Sequence, residues 1–315
     1  LDYFSLGGIN MHMADALISP GVGVAMLAVS GVAIAYSVKK VKEEIEEKKV
    51  PLMGVMGAFV FSAQMINFTI PGTGSSGHIG GGILLAALLG PYAGLLVMTS
   101  VLLIQAMFFA DGGILAFGCN VFNLGVLTCF VAYPIIYRLF VNKGLSVKRI
   151  TWGTIASVIV GLQLGSLGVV LETELSGKME LPINTFLGFM QPIHLVIGIF
   201  EGIIVAAVLC FIYKFSPELL EGSRDIENGK TQNYGKTLWI LFFAAVFIGG
   251  ILSYFASKNP DGLEWAIQGI IGVKGFEEME TSSVVMNQGV TGGVVIILFG
   301  IIAGQIIKKV KGRKY

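Results

Sequence analysis

From Val50 to Ala110 the chain contains no Asp, Glu, Lys or Arg, and shorter charge-free runs recur from Pro20 to Val38, Gly112 to Tyr137, Ile150 to Leu171 and Thr237 to Ser257. A helix at the surface of a soluble protein needs a polar stripe facing water. Runs of about 20 uncharged, mostly apolar residues are instead what the hydrocarbon core of a bilayer demands. Charged residues make up 13% of the chain, against roughly 25% in soluble domains. The sequence therefore predicts an all-α, polytopic membrane protein with the lipid bilayer as its solvent. A net charge of +1 carries no signature of a nucleic-acid partner, and none is expected. Cys119, Cys129 and Cys210 lie in or beside apolar runs without CxxC spacing, and read as small buried hydrophobes rather than a disulfide framework.

Nine spans are expected, at residues 20–38, 51–70, 79–90, 92–110, 120–140, 150–171, 191–213, 237–256 and 291–307. The first seven form one helical bundle within residues 11–213, and two C-terminal helices follow within 237–315. Residues 214–236 are polar and read as a cytoplasmic linker. Ser19 followed by Pro20 is a helix start: a capping hydroxyl, then a residue whose missing N–H does no harm there. The Lys- and Glu-rich segment 39–49 is expected to be a solvated loop. Residues 1–10, LDYFSLGGIN, lack the basic start of a secretory signal and read as an extension or leader, with a mature chain beginning at Met11.

Alternating nine spans puts residues 39–49, 138–149, 214–236 and the basic tail on one side. That side holds all the Lys and Arg residues except Lys178, Lys258 and Lys274. By the positive-inside rule it is the cytoplasm. The expected topology is a multi-pass plasma-membrane protein with its N-terminus outside and its C-terminus inside. His12, His78 and Asp111 then fall on the outer side together.

Only three histidines occur, His12, His78 and His194. With Met11 as the true N-terminus, its α-amine, the His12 amide and the His12 imidazole are three nitrogens able to wrap one divalent ion in fused rings. His78, on the loop Gly72–His78, would supply a fourth. A square plane of nitrogens favours Ni2+ or Cu2+ over Zn2+. Taken alone, His12 is equally an ordinary interfacial residue and the glycine loop a plain turn. Gln64 and Asn67 share a helix face and could hydrogen-bond the loop that carries His78, with Ser75 and Ser76 beside it; Gln105, Asn120 and Asn123 extend the polar set. Inter-helix hydrogen bonding accounts for them as well. His194 and Glu201, seven residues apart, also share a face. They are either a buried pair joining helices or the cation path of a stand-alone secondary transporter or channel. There is no HExxH, G-x-S-x-G or phosphate-cradling lysine loop, so no catalytic residue is expected and ATP hydrolysis is not expected of this chain.

Four stretches, MHMADALISP at 11–20, AQMINFTIPGTGSSGHIGG at 63–81, LLGPYAGLLVMTSVLLIQAMFFADGGILAFGCNVFNLGV at 88–126 and HLVIGIFEG at 194–202, resemble the CbiM/NikM family. These are the substrate-specificity (S) components of energy-coupling-factor transporters for cobalt and nickel. NPDGLEW at 259–265 resembles the PDGLE element of the CbiN/NikN-type accessory component, which would make 237–315 a fused accessory part that promotes loading of the site. The resemblance implies uptake of Ni2+ or Co2+ as transported substrate, without an organic cofactor. Metal ligands would be Met11, His12 and His78, and the partners a transmembrane coupling (T) component and cytoplasmic ATPase subunits.

Overall fold

The computed structural model describes residues 12–44, 49–109, 111–178, 182–221 and 234–271. Met11, the extension 1–10 and the span expected at 291–307 lie outside the described residues.

Residues 12–19, with His12, Met13, Leu17 and Ile18 buried, precede α1 (Pro20–Glu44). Ser19 Oγ accepts the Val22 N–H at 3.4 Å, the cap expected from the Ser-Pro pair. The helix does not stop at Lys39 as expected but continues through Lys40, Lys42 and Glu43. Lys and Glu are good helix formers, no Gly or Pro interrupts them, and Lys40 pairs with Glu43 one turn on at 3.7 Å.

The second helix, α2 (Lys49–Gln64), ends earlier than the span expected there, and a two-rung antiparallel ladder follows. Strand β1 (Phe68–Thr69) pairs with β2 (Ser76–Gly77), Phe68 opposite Gly77 and Thr69 opposite Ser76. Between them the glycine loop closes on itself: the Ile70 N–H donates to Ser75 O at 2.9 Å, and Thr73 Oγ1 donates to Ile70 O at 2.9 Å.

Helix α3 (Gly82–Leu89) is eight residues long and wholly buried. At 1.5 Å per residue it covers only about 12 Å, so it cannot cross a bilayer core of about 30 Å alone. It ends at Gly90, whose φ of +83° suits the break before α4 (Pro91–Phe108). Helix α5 (Phe117–Val141) is wound wider, in π geometry, over Val121–Tyr137. The longest helices are α6 (Val147–Ser176) and α7 (Ile183–Phe215). They pack closely through glycines: a Cβ on Gly202 would lie 2.9 Å from Ile155 Cα. After the linker come α8 (Tyr234–Gly250) and α9 (Gly262–Ile271).

Among the described residues five helices are long and apolar enough to span a membrane: α1, α4, α5, α6 and α7. Their outer faces stay apolar, as Val24, Leu27, Val32 and Tyr36 on α1 illustrate, and so does the shorter α8 with Trp239 and Phe243. An apolar surface of this kind is stable against lipid and unfavourable in water. The protein is all-α and multi-pass, with further helices beside the five. One end of the bundle carries the Lys49–Glu221 ion pair at 2.8 Å. The other carries His12, His78 and Asp111.

Candidate metal site

His12 is held from two sides. Its backbone N–H donates to Asp111 Oδ1 at 3.2 Å, and its Nδ1 lies 3.1 Å from Asp111 Oδ2. One residue on, the Asn120 side-chain amide grips Met13 by both main-chain atoms. Oδ1 accepts the Met13 N–H and Nδ2 donates to the Met13 carbonyl, each at 3.0 Å. Asp15 Oδ1 accepts the Ala116 N–H at 2.8 Å, while Met13, Leu17 and Ile18 pack on Ala116 and Cys119. The segment 12–18 is thus strapped along 111–120.

The hairpin brings His78 to this strap. The His12 and His78 rings lie edge-to-face with centroids 5.5 Å apart; His12 is buried and His78 half-buried. Backbone nitrogen and Nδ1 of His12 face the same carboxyl group, so they point the same way, as a chelate requires. His12 Nε2 makes no hydrogen bond. Among the described residues no three His, Cys, Asp or Glu side chains form a metal cluster. Two imidazoles with main-chain nitrogens do not need one. Asp111, the first charged residue after the long charge-free run, was not singled out as a His12 partner from sequence. Its place after the run and before two glycines was the available signal.

The remaining polar residues divide by partner. Gln64 Nε2 donates to Gly80 O at 2.9 Å, and its Oε1 accepts Gln105 Nε2 at 3.0 Å, so Gln64 supports the stretch after His78. Asn67 is buried, but its side-chain oxygen makes no hydrogen bond; its carbonyl takes the Ser257 N–H at 2.7 Å. Ser75 and Ser76 turn to the C-terminal segment: Ser76 Oγ donates to Asn259 O at 2.8 Å and Ser75 Oγ to Pro260 O at 3.3 Å. His194 and Glu201 take separate partners. His194 Nδ1 lies 2.7 Å from Met190 O, and Glu201 Oε1 accepts from Gly80 and Gly81. Asn123 Nδ2 donates to Glu172 at 2.7 Å.

A partly open cavity of about 100 Å³ lies beside the two histidines, and its wall includes His12, His78, Asn123, His194, Glu201 and Asp261. Asp261, Gly262 and Leu263 line it from the C-terminal segment, and residues 257–265 are tied to the hairpin. The Ser76 N–H donates to Pro260 O at 2.8 Å, Trp265 Nε1 donates to Thr73 O at 2.9 Å, and Thr69 Oγ1 donates to Ser257 Oγ at 2.9 Å. Burial pushes both acids of this segment up. The Asp261 carboxyl is raised well above the usual range by burial and then by Glu264. The Glu264 carboxyl is raised to about 7 by burial, with the Asp111 charge adding to it.

Residues 12–219 match the family model described as the cobalt uptake substrate-specific transmembrane region, and residues 235–290 match the PDGLE domain. A putative metal transport protein of Haloquadratum walsbyi is 35% identical over 214 residues, covering 67% of this chain and 93% of that protein. A putative fused nickel transport protein NikMN of Archaeoglobus fulgidus is 35% identical over 218 residues, covering 67% of this chain and 68% of its own length. Among solved structures, a truncated transition metal transporter is 32% identical with a TM-score of 0.57, covering 64% of this chain and 98% of that one. A family match over well more than half the chain, on a helical bundle of this kind, makes this protein a transporter subunit of the CbiM family of cobalt-uptake, substrate-specific transmembrane proteins, with a PDGLE domain fused to its C-terminal side.

Proposed function

We propose that this chain captures Ni2+ or Co2+ at the outer face of the plasma membrane and hands it inward, as the S component of an ATP-driven energy-coupling-factor importer. The observation that carries this is the approach of buried His12 and half-buried His78, ring centroids 5.5 Å apart, with the His12 amide and Nδ1 directed to one side. The ion is the substrate. Its donors are the His12 amide and imidazole, the His78 imidazole and, in a chain that starts there, the α-amine of Met11. Gln64 steadies the stretch after His78, and Asn67, Ser75 and Ser76 fix the hairpin around it. Nitrogen donors in a plane suit Ni2+, one relative named above is described as a nickel transport protein, and the matching family model is described as cobalt uptake.

Seven spans in residues 11–213 and two in 237–315 are the topology proposed, with 214–236 as the cytoplasmic linker and the basic tail inside. The concentration of Lys and Arg at the Lys49–Glu221 end supports that orientation. A transmembrane coupling component and cytoplasmic ATPases supply the energy, and residues 257–271 favour loading of the site they cover. Replacing His78 with alanine tests the assignment. Titration calorimetry on the purified full chain is expected to show tight Ni2+ binding lost while thermal unfolding stays cooperative. Affinity unchanged from wild type would overturn it.

A further inference from the structure

We infer that Glu201 is a positioning residue for His78: its carboxyl group, reaching in from α7, grips the backbone two and three residues beyond the imidazole and so sets where that imidazole points. This rests on the proposal that His78 is a metal donor. Glu201 Oε1 accepts the Gly80 N–H at 2.8 Å and the Gly81 N–H at 3.3 Å. The opposite side of the same backbone is held as well, because Gly80 O accepts Gln64 Nε2 at 2.9 Å and Gln64 is itself fixed by Gln105 at 3.0 Å. Before His78, Gly77 rests on Ile197, where an added Cβ would come within 2.7 Å of Ile197 Cγ2. His78 is therefore suspended between two anchor points, Ile197 and Glu201, which stand one helical turn apart on α7.

Two other uses of the carboxyl group are weaker. An ordinary helix cap accepts from the second or third N–H inside the helix. Here the donors, Gly80 and Gly81, both precede α3, which starts at Gly82. A direct ligand would have to reach the ion itself: Oε1 is committed to two amides, while Oε2 is buried without a hydrogen bond, so the spectra of the E201 series separate the two roles. The close approach also explains the glycine, since a Cβ at Gly80 would lie 3.2 Å from Oε1. A buried acid lying mid-span is thus used as a hydrogen-bond acceptor that orients a loop, rather than as part of a path through the membrane.

The test is the series E201Q, E201D and E201A in the full chain, with H78A alongside, titrated with Ni2+ and followed by ligand-field absorption of the bound ion. Gln keeps the length and one acceptor oxygen, so E201Q is expected to lose no more than a few-fold in affinity and to retain the wild-type spectrum. E201A removes the grip and is expected to lose at least about tenfold, the factor equal to roughly 1.4 kcal/mol, with a changed spectrum; E201D falls between. Wild-type affinity and spectrum in E201A would overturn the role. So would E201Q falling as far as E201A, which would mean that charge and not acceptor geometry matters. If E201A does not fold, glycine-labelled NMR of E201Q decides: Gly80 and Gly81 amide protons move upfield when the acceptor becomes an amide, and unmoved resonances overturn the role. Loss of binding in H78A with full binding in E201A would remove only the Glu201 role. Unchanged binding in H78A would remove the metal site and the Glu201 role together.

Discussion

Replacing Asn120 with alanine should cut the strap that presents His12. Asn120 makes two hydrogen bonds to Met13, both 3.0 Å long, and Met13 is 2% exposed. The Met13 carbonyl keeps a second donor, the Gly113 N–H at 3.3 Å, so its loss is small. The Met13 N–H is left buried without an acceptor, which costs about 1–3 kcal/mol. Taking about 2 kcal/mol as the centre, the equilibrium constant for holding segment 12–18 in place falls by a factor of about 30. Metal binding must restore that position wherever it is lost, so Ni2+ affinity falls, by up to about that factor. Calorimetric titration of wild type and N120A in the same detergent measures this, with thermal unfolding as the control for global stability. N120A binding Ni2+ as tightly as wild type would show that the strap does not present the donor.

Two further outcomes follow from close contacts and from buried acids. A Cβ on Gly118 would lie 2.3 Å from Leu27 N and 2.5 Å from Leu27 Cα, backbone atoms that cannot swing aside. G118A should therefore push α1 off α5 and cost about 1–3 kcal/mol or more, read as a lowered unfolding temperature; an unchanged temperature would refute that packing. Glu264 titrates near 7 and Asp261 is raised too while the segment is docked, so the docked state holds protons that the undocked state releases. Docking is therefore strongest at low pH and weakens as pH rises through 7 and beyond. With Trp152 and Trp239 replaced by Phe, Trp265 emission should shift to the red between about pH 5 and about pH 8; a flat profile would contradict it.

Five of the expected spans, at α1, α4, α5, α6 and α7, were legible because they depend on local chemistry. Charge-free runs mark the helices, Ser19 and Pro20 mark the start of α1, and Gly90 with Pro91 marks the break between α3 and α4. The end of α1 was not, because Lys39–Glu44 is polar and helix-forming at once, and polarity alone does not stop a helix. The length of α3 was hidden for the opposite reason: Ile79, Gly80 and Gly81 carry no charge and continue the uncharged run, but they serve the turn after the hairpin. At the site, His12 and His78 could be brought together from topology alone. The Asp111 contact to His12, the Asn120 grip on Met13 and the Glu201 contact to Gly80 join residues roughly a hundred positions apart. No spacing rule reaches across such distances, and only the packing of α4, α5 and α7 creates these contacts.

Nickel K-edge absorption on the Ni2+-loaded full chain tests the central claim most directly, because it reads the donor atoms themselves. A shell of nitrogen donors containing two imidazoles in the wild type, and no such nitrogen shell in H78A under the same loading, is the predicted result. A shell of oxygen donors in the wild type, or an imidazole count that H78A leaves unchanged, would contradict it.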